Sequence, residues 1–271
     1  MYSKKYFDSL LNQTDFKIRI LKDPVSSIYN YKKPEDREIV GLLASMFAYG
    51  RVEKILKNVD LILKNISNSK KSPYEIITKS TVKYEVLFKN FKHRFNSGSD
   101  LAVVLYSLKS LLKKYGSLEN LFKTGIINDN IDIKKIIINF AGLIRKEFES
   151  ISEKYNIPLG KTLYLLPTPE RGSSCKRLNL FLRWMIRKDN IDPGVWNKSL
   201  GFLIPYLIIP LDVHIAKCGR NTGMTLRKTN DWQTASEITE YLKKIEPEDP
   251  LKYDFAICHL GMSEIRKAGK H

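Results

Sequence analysis

The chain has 271 residues, 43% of them apolar, enough to bury a core without disulfides or structural metals, and 11 prolines and 14 glycines are too few for a disordered or fibrous protein. Its 46 lysines and arginines against 29 aspartates and glutamates give a formal charge of +17. Such an excess attracts polyanions, nucleic acid above all, although a Lys-, Ile- and Asn-rich composition of the kind an AT-rich genome favours accounts for part of it.

Apolar residues recur at helical spacing almost throughout, and period-two alternation is scarce, so the fold class expected is all-α. Residues 1–13 alternate charged and apolar side chains and lack the apolar run of a secretory signal. Pro34, Glu35 and Asp36 open a helix with the stripe Ile39, Leu42, Leu43, Met46 and Phe47, and Arg51 opens the next. The stripe from Leu101 to Leu112 starts near Ser99 or Asp100 and closes at Gly116. Ile133 to Phe148 define a long helix ending near Ser152. A helix from Ser173 or Ser174 buries Leu178, Phe181, Leu182 and Met185. Residues 213–221 form a short helix closed near Gly223, and residues 232–245 form another begun by Asn230 or Asp231. Asp249-Pro250 reads as an N-cap followed by proline at the first helical position. Lys70-Lys71 and Lys113-Lys114 read as solvated surface.

Cys175, Cys218 and Cys258 form no C-x-x-C pair, so they read as reduced, mostly buried thiols and not as a disulfide, zinc or iron-sulfur framework. The longest apolar stretch, residues 201–211, is too short for a membrane span and is broken by Pro205 and Pro210. A cytoplasmic protein with no membrane association is expected.

The chemistry-bearing stretch is residues 165–223. On a helix turning about 100° per residue, Lys176, Asn179, Arg183 and Arg187 fall within roughly 80° of one another. This cationic face follows a loop, Gly172 to Ser174, whose N–H groups suit a phosphate. The alternative is an ordinary amphipathic helix with a solvated basic face. Asp212, just after Pro210, suits an N-cap, which fixes a carboxylate in place. His214 reads as a core imidazole or a helix-surface residue.

The run Gly172-Ser173-Ser174-Cys175-Lys176-Arg177-Leu178-Asn179, followed by Pro210-Leu211-Asp212-Val213-His214, resembles the helix-hairpin-helix DNA glycosylase superfamily of endonuclease III and the 8-oxoguanine glycosylases. There a glycine-rich hairpin precedes a helix bearing a catalytic lysine, and a V-D-x-H-V-x-R-type segment carries the catalytic aspartate. Lys176 matches the lysine, Asn179 a frequent asparagine, Asp212 the aspartate, and His214 and Arg220 flanking positions. Over nearly its whole length the chain is also similar to a bacterial family of unknown function related to that superfamily. The shared features include Asp36-x-Glu38, Gly41-Leu42-Leu43-Ala44, Ala48-Tyr49-Gly50-Arg51, His93-Arg94-Phe95 and Lys252-Tyr253-Asp254-Phe255-Ala256. Three features depart from the superfamily pattern. Pro169, Glu170, Arg171, Gly172 and two serines replace the L-P-G-x-G hairpin, the Lys176-to-Asp212 connector is longer than in endonuclease III, and the C-terminal cysteine cluster is missing. No iron-sulfur cluster, metal or other cofactor is therefore expected.

The resemblance implies a two-lobed helical fold, with residues 1–33 and 205–271 in one lobe and 34–204 in the other, and a cleft between them. It implies a monomer that removes a damaged base, an oxidised purine among the candidates, from duplex DNA or acts on an abasic site. Lys176 would attack C1′, its neutral form favoured by burial and by Arg177, while Asp212 stabilises the charge on the sugar. Arg171, Gly172, Ser173, Ser174, Arg177, Asn179 and Arg183 would face DNA. Extruding the base needs a pocket and a wedge. The candidates are Tyr49, Arg51, His93, Arg94, Trp184 and His214, with Phe95 at the rim and Phe47 and Trp196 by aromatic type. Core packing is the alternative for Tyr49, Phe47, Trp184 and Trp196. Two other functions compete, a non-catalytic nucleic-acid-binding protein on the same scaffold and an interaction protein with no nucleic-acid role.

Overall fold

A computed structural model describes residues 4–12, 20–67, 71–127 and 130–258, which are predominantly helical, and the fold is all-α. Lys70 and residues 1–3, 13–19 and 259–271 of the expected terminal lobe lie outside the described residues.

Local chemistry accounts for the helix ends. The Pro34–Met46 helix starts with proline in its first turn, followed by Glu35 and Asp36. Gly98–Tyr115 is opened by a capping box between Ser97 and Asp100 and closed by Gly116 at φ +80°. Ile133–Tyr155 begins at the Asp132 cap and runs past Ser152 until Asn156 turns left-handed. Val213–Asn221 and Trp232–Lys243 are capped by the Asp212 and Asp231 carboxylates.

Two local expectations are corrected. Lys92–His93 pairs antiparallel with Asn96–Ser97 around Arg94 and Phe95, a hairpin too short for any periodic signal. Asp249-Pro250 opens a turn instead of a helix: the Lys252 N–H donates to the Asp249 carbonyl at 3.0 Å, and helical residues begin only at Asp254. The Asp249 carboxylate caps nothing because Arg187 takes it.

The Pro34–Met46 helix is the axis of the core, buried at every residue from Glu38 to Met46. The Lys176–Ile186 helix packs directly on it, and Gly41 makes room: a Cβ there would lie 2.8 Å from Met185 Cε. Buried apolar side chains form one cluster reaching from Phe7 to Ile257, so residues of both expected lobes share a core. The Lys4–Asn12 helix meets the far end of the chain. Phe7 lies 5.2 Å from the Tyr253 ring, Tyr253 donates to Asp8 at 2.9 Å, and Lys4 pairs with Glu246. Among the described residues no helix is long and apolar enough to cross a membrane.

Candidate active site

Lys176 and Asp212, distant in sequence, come together in space. Asp212 stands in extended conformation before its helix, and its Oδ1 accepts the His214 and Ile215 N–H groups, each at 2.9 Å. That leaves Oδ2 free to face Lys176 Nζ at 3.5 Å and to accept from the Cys258 thiol at 3.8 Å. The lysine side chain is 37% exposed and the carboxylate 16%, so a sheltered acceptor holds a cation that reaches solvent. Lys176 is the first residue of its helix, aimed by the left-handed Cys175 (φ +52°) before it.

The surroundings are acidic. Burial, opposed by Arg183 and reinforced by Asp212, pushes the Asp254 carboxyl up to about 6. Burial also raises the Asp23 carboxyl. The Cys258 thiol is raised well above its ordinary value by burial and then by Asp212 and Asp254. It remains a protonated donor to Asp212 and does not compete as a nucleophile. Cys175 is likewise buried, its thiol pushed up to about 12 mainly by burial.

The cationic face expected on the Lys176–Ile186 helix is mostly internal, which corrects both the DNA-facing and the solvated reading of it. Arg183 is buried between Asp192, its Nε at 3.1 Å from Oδ1, and Asp254. Arg187 donates from Nη1 to Asp189 and Asp192, each at 2.7 Å, and from Nε to Asp249 at 2.8 Å. Asp192 is fully buried between the two guanidiniums. The arginines thus fasten the helix to the following loop and to the C-terminal segment. Asp189 shapes that loop by accepting the Ile191 and Asp192 N–H groups, both at 2.8 Å.

Other expected site residues divide between surface and core. Arg171 and Gly172 are exposed, and Ser173 and Ser174 are half-buried. The loop engages much of its own backbone. The Arg171 N–H donates to Thr168, Gly172 to Pro169, and Cys175 to Ser173 Oγ, so of the Gly172 to Ser174 N–H groups expected to face a phosphate that of Gly172 is already taken. Arg177 is buried and turned away from Lys176 and from solvent. It donates to the Met46 and Tyr164 carbonyls and lies 4.5 Å from the Tyr164 ring and 5.0 Å from the Tyr49 ring. It therefore supports the aromatic rings and does not sit beside the amine. Asn179 is buried and donates to Ser174 at 3.1 Å, holding the loop.

Trp184 is fully buried, as are Phe47 and Trp196, so these rings are core and not wedge. Their place in the apolar cluster decides it. His93 is fully buried too, accepting from Asn58 at Nδ1 (2.8 Å) and donating from Nε2 to the Tyr49 carbonyl (3.0 Å). The Tyr49 carbonyl can only accept, which puts a proton on Nε2, and the Asn58 amide nitrogen can only donate, which leaves Nδ1 without one, so the ring is neutral. Burial correspondingly lowers its pKa. Tyr49 is half-buried, whereas Arg51 and Arg94 are exposed. His214 is half-buried, with Nδ1 unpartnered among the described residues. Arg220 reaches the Arg227 carbonyl at 2.7 Å and tethers the following loop.

Tyr164 and the contact of Cys258 with Asp212 escaped the sequence reading. Neither carries a local motif, since each matters only through residues that are remote in the chain. Among the described residues no group of three or more His, Cys, Asp or Glu is placed to hold a metal ion. No curated protein and no solved structure matches the chain. A family model described as "Protein of unknown function (DUF2400)" matches residues 23–263, a span that includes Lys176, Asp212 and Cys258, and the chain belongs to that family.

Proposed function

We propose that the protein is a DNA repair glycosylase or abasic-site lyase on the two-lobed helix-hairpin-helix scaffold its sequence resembles. Residues 1–33 and 205–271 would form one lobe and 34–204 the other, with a damaged base, an oxidised purine among the candidates, bound between them. The observation that carries this reading is the 3.5 Å approach of Lys176 Nζ to an Asp212 oxygen whose partner oxygen is fixed by two helix N–H groups. A carboxylate held in this way keeps its position while charge develops beside it.

In the reaction, Asp212 Oδ2 is the nearest base to accept a proton from the Lys176 ammonium. The freed amine bonds to C1′ as the N-glycosidic bond breaks, and the base departs with the electron pair and takes up a proton. Ring opening gives an imine between Nζ and C1′, and β-elimination then expels the 3′ phosphate. Asp212 stabilises the cationic sugar on the way and can return the proton.

The test is to incubate the protein with duplexes carrying an abasic site or 8-oxoguanine, follow strand cleavage, and trap the imine with borohydride. Wild type is expected to cleave and to trap, and Lys176→Ala to do neither. Absence of both activities on both substrates overturns the lyase reading. A second reading, a nucleic-acid-binding protein without chemistry, is favoured by the charge of +17 together with a loop before Lys176 that departs from the L-P-G-x-G hairpin. It predicts salt-sensitive DNA binding that Lys176→Ala leaves intact and no trapped adduct.

A further inference from the structure

One cluster of rings lies on the surface beside the Lys176–Ile186 helix. Phe95 is 60% exposed at the tip of the Lys92–Ser97 hairpin, and Tyr164 is 46% exposed. Their centroids are 6.0 Å apart, and Tyr49 stands 5.4 Å from Tyr164 on the other side. Each pair is edge to face, so the three rings form a stepped surface.

The surface is rigid. His93 and Asn96, which flank the hairpin tip, are both buried. The Asn96 amide donates to the Lys161 carbonyl at 3.0 Å, tying the hairpin to the segment that bears Tyr164. The Tyr49 hydroxyl donates to the His93 carbonyl at 3.0 Å. Arg177 lies against Tyr49 and Tyr164, and Arg94 stacks 5.3 Å from the Phe95 centroid. The three segments that build the surface carry Arg51, Lys92, Arg94 and Lys161, all exposed, and residues 49–51, 92–97 and 160–164 contain no acidic residue.

Two solvent-facing rings backed by the half-buried Tyr49 and bordered by cations suit a planar ligand attached to an anionic chain. We infer that Phe95, Tyr164 and Tyr49 form a stacking platform for an unpaired base of a nucleic-acid strand whose phosphates meet Arg94 and Lys161. The inference rests on the DNA reading above and adds the feature recognised, a base outside the stack. Arg177, which follows Lys176 in the same helix, buttresses two of the rings.

The experiment measures binding of the full chain to three labelled probes: a single strand, a duplex with one unpaired 2-aminopurine, and a fully paired duplex. Phe95→Ala and Tyr164→Ala are compared with wild type. Both side chains are exposed, and the Tyr164 contact to Arg177 Nη2 is made by its backbone carbonyl, so both variants should keep the fold. Each variant is expected to weaken binding of the first two probes roughly tenfold, to leave the paired duplex within about twofold, and to relieve the 2-aminopurine quenching seen with wild type. Unchanged affinity and quenching in both variants overturn the platform while leaving Lys176 chemistry intact. Ring-dependent binding without a borohydride adduct supports the platform and overturns the chemistry. A wild type that binds none of the probes overturns both.

Discussion

Asp212 uses its two oxygens for different tasks, capping with Oδ1 and facing Lys176 with Oδ2. Substitutions can separate them. Asparagine is an equally good N-cap, so Asp212→Asn should change stability by no more than a few tenths of a kcal/mol while reducing strand cleavage at least about a hundredfold. Asp212→Ala should lose the same activity and about 1 kcal/mol of stability as well. Urea midpoints beside cleavage rates distinguish the two, and an Asp212→Asn protein that cleaves at the wild-type rate removes the carboxylate from the chemistry. His93 sets a pH dependence of its own. Burial holds its native pKa below the 6.5 of free imidazole, so the unfolded chain binds the proton more readily. Its contribution to stability is therefore complete above about 6.5 and is lost as pH falls below that toward the depressed native value. Urea midpoints should fall between about pH 8 and about pH 5, with the ring remaining neutral by NMR through the upper part of that window.

At the scale of elements, the buried arginines define what fastens the Lys176–Ile186 helix. Removing one partner from such a network leaves a charge uncompensated, and Arg183→Ala should cost about 3 to 5 kcal/mol. High salt should not reproduce this loss, because Asp192 is out of reach of solvent ions. A melt that shifts as much in salt as in the variant would place the pair at the surface. The start of the Gly98–Tyr115 helix has a comparable constraint at Gly98, where a Cβ would lie 1.8 Å from the Phe88 carbonyl oxygen. Backbone cannot yield as a flexible side chain does, so Gly98→Ala should give little folded protein, whereas at Gly41 the flexible end of Met185 can move and Gly41→Ala should cost about 1 to 3 kcal/mol. These elements also show what the sequence could convey. Pro34, Gly116, Asp212 and Asp231 act through neighbours within one turn, and their helix ends were legible. Periodicity likewise placed Arg183 and Arg187 on one face, but not the carboxylates of Asp192, Asp249 and Asp254 that meet them, because those arrive from other segments of the chain. The same holds for Asp249, which had every local mark of a cap and was claimed by Arg187 instead.

For the whole molecule, a charge of +17 gives a field that attracts polyanions, yet the arginines nearest the candidate site mostly face inward. Any electrostatic footprint on DNA must come from exposed cations such as Arg51, Arg94, Lys161 and Arg171. The logarithm of affinity should fall linearly with the logarithm of salt concentration, and Arg94→Gln with Arg171→Gln should reduce that slope by about 2. An unchanged slope would move the binding face elsewhere. The Lys176–Asp212 pair was legible only through resemblance, since nothing local joins two residues so far apart in the chain, whereas their apposition is explicit in space. Tyr164 and Cys258 became visible in the same way, through contacts to Arg177 and Asp212. The role of Lys176 is tested by trapping the protein on abasic-site DNA with borohydride, digesting the adduct, and locating the modified residue by mass spectrometry. A single modified amine at Lys176 and no adduct in Lys176→Ala are expected; modification of another amine, or undiminished trapping in that variant, would place the nucleophile elsewhere.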